Sequence, residues 1–166
     1  MANIKAIFKY AMQMELDGHK FFKEKAKEFV NPTSKKMFEN LARVEMDHYD
    51  FLKEQLDEYT NNNEFKKLDP SIADREKDIF KSREESEYLK ETLEQSDIPD
   101  MTILRMAYLI ERDYAEFYRK AAANVEDIKA KEIFNMLAKW EDGHEELFKK
   151  EYDRMMNEYM TLPWGG

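Results

Sequence analysis

The sequence predicts an all-α domain: an antiparallel four-helix bundle whose two helical hairpins are joined by a long helical crossover. Three observations predict it. Apolar residues recur at the i, i+3, i+4, i+7 spacing of a helix, and the 166 residues include only four Gly and four Pro. Breakers cluster at a few places, around Asn31-Pro32, Asn61 to Pro70, Ser96 to Pro99 and Asp127. Residues 11–56 also align without a gap on residues 107–152, matching at Ala11/Ala107, Glu15/Glu111, Phe21/Phe117, Phe38/Phe134, Leu41/Leu137, Glu45/Glu141 and His48/His144. A repeat of that length is a duplicated helical hairpin.

The first helix is expected over Asn3–Phe29, with Ile4, Ile7, Phe8, Ala11, Glu15, Gly18, Phe22, Ala26 and Phe29 inward. Asn31-Pro32 is a cap followed by proline at the first helical position, opening a second helix to about Tyr59. Its inward face carries Phe38, Leu41, Glu45, His48, Leu52 and Leu56. Residues 60–100 form the crossover, a charged helical segment opened by Ser71 with a sparse apolar face of Ile72, Ile79, Phe80, Leu89 and Leu93. Asp100 is expected to cap the third helix, with Leu104, Ala107, Tyr108, Glu111, Tyr114, Tyr118 and Ala122 on one face. Asp127 caps the fourth, with Phe134, Leu137, Ala138, Glu141, His144, Phe148, Tyr152 and Met155 inward, and Pro163 and two Gly end the chain. The whole reads as one domain, with hairpins at about 3–59 and 101–160.

Composition narrows the function classes. A net charge of −9 argues against nucleic acid or an anionic membrane as partner. The absence of Cys excludes disulfides, thiolate metal sites and a cysteine nucleophile. The N-terminus lacks the uninterrupted apolar run and cleavage site of a signal peptide, and the longest apolar stretch, Ile103–Ile110, is interrupted by Arg105. A soluble cytoplasmic protein is the expectation.

The chemistry lies in the repeat. Glu15 is followed 30 positions on by Glu45 and then by His48; Glu111 is followed 30 positions on by Glu141 and then by His144. With the first turn near Asn31, Glu15 and Glu45 both lie roughly 21–24 Å from it at about 1.5 Å per residue, so antiparallel packing brings them level. The second hairpin repeats the arithmetic, and each His shares a face with the Glu three residues before it. Several carboxylates at one depth in an apolar interior repel one another unless cations neutralise them, and two divalent ions would do so. Carboxylate oxygen with imidazole nitrogen suits Fe or Mn, and Zn can substitute without redox activity. Glu45 and Glu141 are the expected bridges, with Glu15 and Glu111 terminal and one His on each ion. With 23 Glu in the chain a single E-x-x-H carries little weight; two copies, each with a further Glu 33 residues before the His on the inward stripe, carry much more.

Around these six, Gly18, His19, Tyr108, Tyr114 and Tyr118 are candidates to touch the ligands. Gly18, one turn from Glu15, is expected to leave room for metal, oxidant or a neighbouring side chain. His19, whose repeat partner is Ala115, reads as a flanking residue rather than a ligand.

The segments MELDGHKFF (14–22), LARVEMDHYDFL (41–52), LIERDYAEFYRKAA (109–122) and LAKWEDGHEELF (137–148) resemble the rubrerythrin branch of the ferritin-like di-iron proteins. The likeness covers about 10–60 and 100–155. It implies a ferritin-like bundle with ligands at Glu15, Glu45, His48, Glu111, Glu141 and His144, and a non-haem di-iron centre that reacts, when reduced, with hydrogen peroxide or oxygen in oxidative-stress protection. It also implies a homodimer, in which hairpins could be exchanged. Two departures stand out. The family's additional Glu one turn from the third helix's main ligand is replaced by Tyr108 on one side of Glu111 and Tyr114 on the other. The four-Cys rubredoxin domain has no counterpart in this Cys-free sequence, so the electron donor is expected to be a separate protein. Competing readings are iron storage without turnover, a di-iron monooxygenase, and a purely structural metal site.

Overall fold

A computed structural model describes residues 3–30, 32–68 and 97–161, without side-chain detail at 33 and 97–99. The described residues form four helices and no strand: α1 (Ile4–Ala26), α2 (Pro32–Asn62), α3 (Asp97–Asn124) and α4 (Ile128–Thr161).

Local chemistry sets most of these ends. Asn3 caps α1, its side-chain oxygen accepting from the Ala6 N–H at 3.1 Å. α1 stops at Ala26, three residues short of the expected Phe29. Its last turn tightens through bonds from Lys27 N to Glu24 O (3.2 Å) and Glu28 N to Lys25 O (3.0 Å). Phe29 leaves the helix yet stays buried, edge-on to Phe38 with ring centroids 4.5 Å apart.

α2 begins at Pro32 as expected and runs past Tyr59 to Asn62. It is ended by Asn63, which adopts a left-handed φ of 57° and donates its N–H to Tyr59 O at 2.8 Å. The chain then folds back, stacking Phe65 on Tyr59 at 4.6 Å and on Phe8 at 5.1 Å.

α3 corrects one expectation. It starts at Asp97, so Asp100 lies inside its first turn rather than at its cap. Pro99 is tolerated there because the first turn needs no N–H from it. Buried Asp100 instead accepts the Val30 N–H at 3.3 Å, tying the start of α3 to the end of α1. α4 is capped as expected, with Asp127 accepting from Ala130 N at 3.0 Å.

The short connections make α1/α2 and α3/α4 antiparallel hairpins, the two most extensive helix pairings. Tyr10 packs on Phe117 while Val30 meets Asp100, so α1 and α3 also run antiparallel. Phe38 packs on Phe148 and His48 on Trp140, so α2 and α4 do too. α2 and α3 therefore point the same way, with the end of one and the start of the other at opposite ends of the bundle. The crossover expected between them, with Ser71, Ile72, Ile79, Phe80, Leu89 and Leu93, falls within residues 69–96 and lies outside the described residues. Asn31 and residues 162–166 lie outside them as well.

The interior is apolar at both ends. One cluster packs Phe8, Ala11, Leu52, Phe65, Tyr118, Ile133, Phe134 and Leu137. The other packs Phe22, Phe29, Phe38, Leu41, Leu104, Ala107, Phe148 and Met155. A polar layer separates them.

Candidate metal centre

That layer consists of Glu15 from α1, Glu45 and His48 from α2, Glu111 from α3, and Glu141 and His144 from α4, none more than 1% exposed. Helical periodicity turns each toward the axis, and the equal distances from the hairpin turns set them at one depth. They fall into two overlapping groups. Glu15, Glu45, His48 and Glu141 each offer a donor atom within 4.8 Å of the others, and so do Glu45, Glu111, Glu141 and His144. Glu45 and Glu141 belong to both. Each group thus takes three donors from one hairpin and borrows one carboxylate from the other.

The donor atoms converge closely. His48 Nδ1 lies 3.4 Å from Glu15 Oε2 and 3.2 Å from Glu141 Oε1. His144 Nδ1 lies 3.5 Å from Glu111 Oε2, 3.4 Å from Glu141 Oε2 and 3.7 Å from Glu45 Oε1. The two imidazole rings stack nearly parallel, 5.9 Å apart. Both oxygens of Glu45, Glu111 and Glu141, and one of Glu15, accept no hydrogen bond although buried. Buried carboxylate oxygens are ordinarily satisfied, and bound cations would supply the partners missing here. The residues fit a pair of bridged divalent ions.

The electrostatics agree. Burial, then repulsion from Glu141, Glu15 and Glu111, pushes the Glu45 carboxyl well above the usual carboxylate range. Burial and Glu141 push Glu111 up likewise. Burial opposes ionisation of Glu141 too, yet its neighbours Glu111, His144 and His48 outweigh it and hold that carboxyl below the usual range. Carboxylates this crowded cannot all ionise without a compensating positive charge.

The flanking candidates divide. Tyr118, fully buried, donates its hydroxyl to Glu15 Oε1. Tyr114 donates to the Met14 carbonyl at 2.7 Å. Burial and the nearby carboxylates keep both phenols neutral, so each retains the O–H that it donates. Gly18 makes room for Tyr114: a Cβ there would lie 3.1 Å from the Tyr114 ring, 3.2 Å from its hydroxyl and 3.4 Å from Glu45 Oε2. His19 faces α2, its Nδ1 donating to the Ala42 carbonyl at 2.6 Å. Tyr108 packs edge-on against Tyr152, with Arg112 near its ring, on the border of the second apolar cluster. Among the described residues, His19 belongs to neither donor group. Sequence reading missed Trp140, which stacks on His48 with centroids 5.2 Å apart and planes 21° from parallel. The signal was its place four residues before His144, on the flank of the same face.

The rubrerythrin family model matches residues 6–152, which span all four helices and all six donors. The chain belongs to the rubrerythrin family. No curated protein and no solved structure matches it significantly. Within the described residues, no helix of this family member is long and apolar enough to cross a membrane.

Proposed function

We propose that the chain is a non-haem di-iron oxidoreductase that reduces hydrogen peroxide, or oxygen, with electrons from a separate donor protein. The observation that carries this reading is the pair of donor groups sharing Glu45 and Glu141. Those two carboxylates would bridge, Glu15 and His48 would hold one ion, and Glu111 and His144 the other. When bound, a reduced iron pair supplies two electrons, which with two protons convert one hydrogen peroxide to two waters.

The chain's own contribution is placement and exclusion of water. The apolar clusters above and below the layer keep solvent from the donors, which strengthens every charge interaction inside it. Tyr118 orients Glu15, Trp140 orients His48, and Tyr114 packs against the Gly18 gap beside Glu45. Family membership supports the same chemistry.

The test is an anaerobic titration of the Fe(II)-loaded protein with hydrogen peroxide. One peroxide should oxidise two Fe(II), and Glu45→Ala should abolish the reaction. Failure of the reduced protein to react with either peroxide or oxygen would overturn the proposal. Iron uptake continuing far beyond two ions per chain would favour storage instead.

A further inference from the structure

The six donors are buried, so a molecule from solvent must pass between two helices to reach them. Four seams flank the layer, and a different contact closes each. The α1/α2 seam is closed by His19 on the Ala42 carbonyl, α3/α4 by the Arg112–Glu145 pair, and α2/α4 by Trp140 stacked on His48. Tyr114 closes the α1/α3 seam, donating its hydroxyl to the Met14 carbonyl. Tyr114 and Gly18 are counterparts in the repeat, 96 positions apart, and they meet across that seam. One copy supplies a ring where the other supplies no side chain, so the ring occupies the hollow at Gly18.

Three features single out this seam. Tyr114 is half-buried, whereas Gly18 and Glu45 behind it are buried, so the ring reaches from solvent to the layer. The phenol and Glu45 border the same hollow: a Cβ on Gly18 would lie 3.2 Å from the Tyr114 hydroxyl and 3.4 Å from Glu45 Oε2. That oxygen accepts no hydrogen bond and belongs to one of the two carboxylates common to both donor groups. Finally, the phenol is tethered to the Met14 carbonyl, at 2.7 Å, in the middle of α1. In a continuous helix that carbonyl also accepts the Gly18 N–H, so releasing the phenol leaves no backbone group unpaired. The freed hydroxyl can turn to water. Swinging the ring outward therefore costs about one net hydrogen bond and the contacts of a ring already partly in solvent. It uncovers Glu45 Oε2, because Gly18 has no side chain to fill the space. Rotating Trp140 would instead bare the face of an imidazole.

We propose that Tyr114 determines which oxidants reach the centre: its ring, seated on Gly18, is the movable wall between solvent and Glu45, and the narrow opening it leaves sets a size limit. Hydrogen peroxide passes. Alkyl hydroperoxides, which would take the same two electrons and two protons to give an alcohol and water, are held back by their bulk. Tyr114 acts on access rather than on the chemical step. This inference rests on the peroxide-reducing reading above.

To test this, the full-length Fe(II)-loaded protein is mixed anaerobically with hydrogen peroxide or with tert-butyl hydroperoxide, and the two oxidation rates give a selectivity ratio. Tyr114→Ala should narrow the parent's ratio about tenfold or more by admitting the bulkier oxidant. Tyr114→Phe keeps the ring and loses the tether, and should speed the reaction with hydrogen peroxide about 2–10-fold. A readout without turnover is the rate at which azide shifts the visible bands of the Co(II)-loaded protein, which should rise in both variants. Helical circular dichroism and bound metal check that each variant is intact, and Tyr114→Phe carries the test if Tyr114→Ala does not fold. Variants that hold their metal yet keep the parent's selectivity ratio, peroxide rate and azide rate overturn the inference while leaving the di-iron reading intact. A parent that reacts with neither peroxide nor oxygen overturns that reading, and the azide rates then decide the role of Tyr114 in access.

Discussion

Glu45 and Glu141 each stand in both donor groups, whereas Glu15 and Glu111 stand in one. Truncating a shared carboxylate damages both positions; truncating a terminal one damages its own. On the proposed two-ion reading, Glu141→Ala should therefore lower the metal retained after gel filtration from two ions to none. Glu111→Ala should retain one. Equal stoichiometry in the two variants would contradict the shared role of Glu141. These residues were legible in the sequence because their signal is arithmetic: a spacing repeated twice, measured from two turns, on stripes that helical periodicity turns inward. The contacts beside them were legible only in part. Tyr118 sits on the predicted inward face, but its partner Glu15 is 103 positions away. Trp140 shows no role until α2 is placed beside α4. Gly18 was expected to leave room, and only packing reveals that Tyr114 takes it.

The helices were legible to within a few residues, and their ends differ for identifiable reasons. α2 runs beyond Tyr59 because Asn63, not Asn61 or Asn62, takes the left-handed conformation that closes it. α3 begins before Asp100, at Asp97, and the Asp100 carboxylate accepts a tertiary bond from Val30, 70 positions away, which no local capping rule can foresee. Where the cap is local, at Asp127, expectation and structure agree. Asp127→Ala removes the acceptor for the Ala130 N–H and should cost about 1 kcal/mol, lowering the melting midpoint by roughly 2–4 °C. Asp127 lies far along α4 from Glu141, so metal stoichiometry should not change. A melting midpoint equal to that of the parent would show that the cap contributes nothing.

Across the whole molecule, the polar layer makes stability depend on pH and metal together. Glu45 and Glu111 bind protons more tightly in the fold than in the unfolded chain, where a glutamate titrates near about 4.3. Between that value and their raised folded values the native state holds the extra protons, so stability falls as pH rises. Glu141 has the opposite sign: its folded value is lowered, so its contribution is present above about pH 4.3 and is lost as pH falls further. Protein kept in a chelator should therefore melt at a lower temperature at pH 8 than at pH 5. Divalent metal, which requires deprotonated ligands, should reverse that order. A chelated protein that melts higher at pH 8 would count against this account of the layer. The repeat carries a different kind of consequence. A centre assembled from two copies of one hairpin must be symmetric, since every substitution appears on both sides. Encoding the hairpin twice in a single chain removes that restriction. Phe22 and Tyr118, or Val44 and Trp140, can then diverge while the six donors stay matched, which a symmetric pair of identical hairpins cannot do.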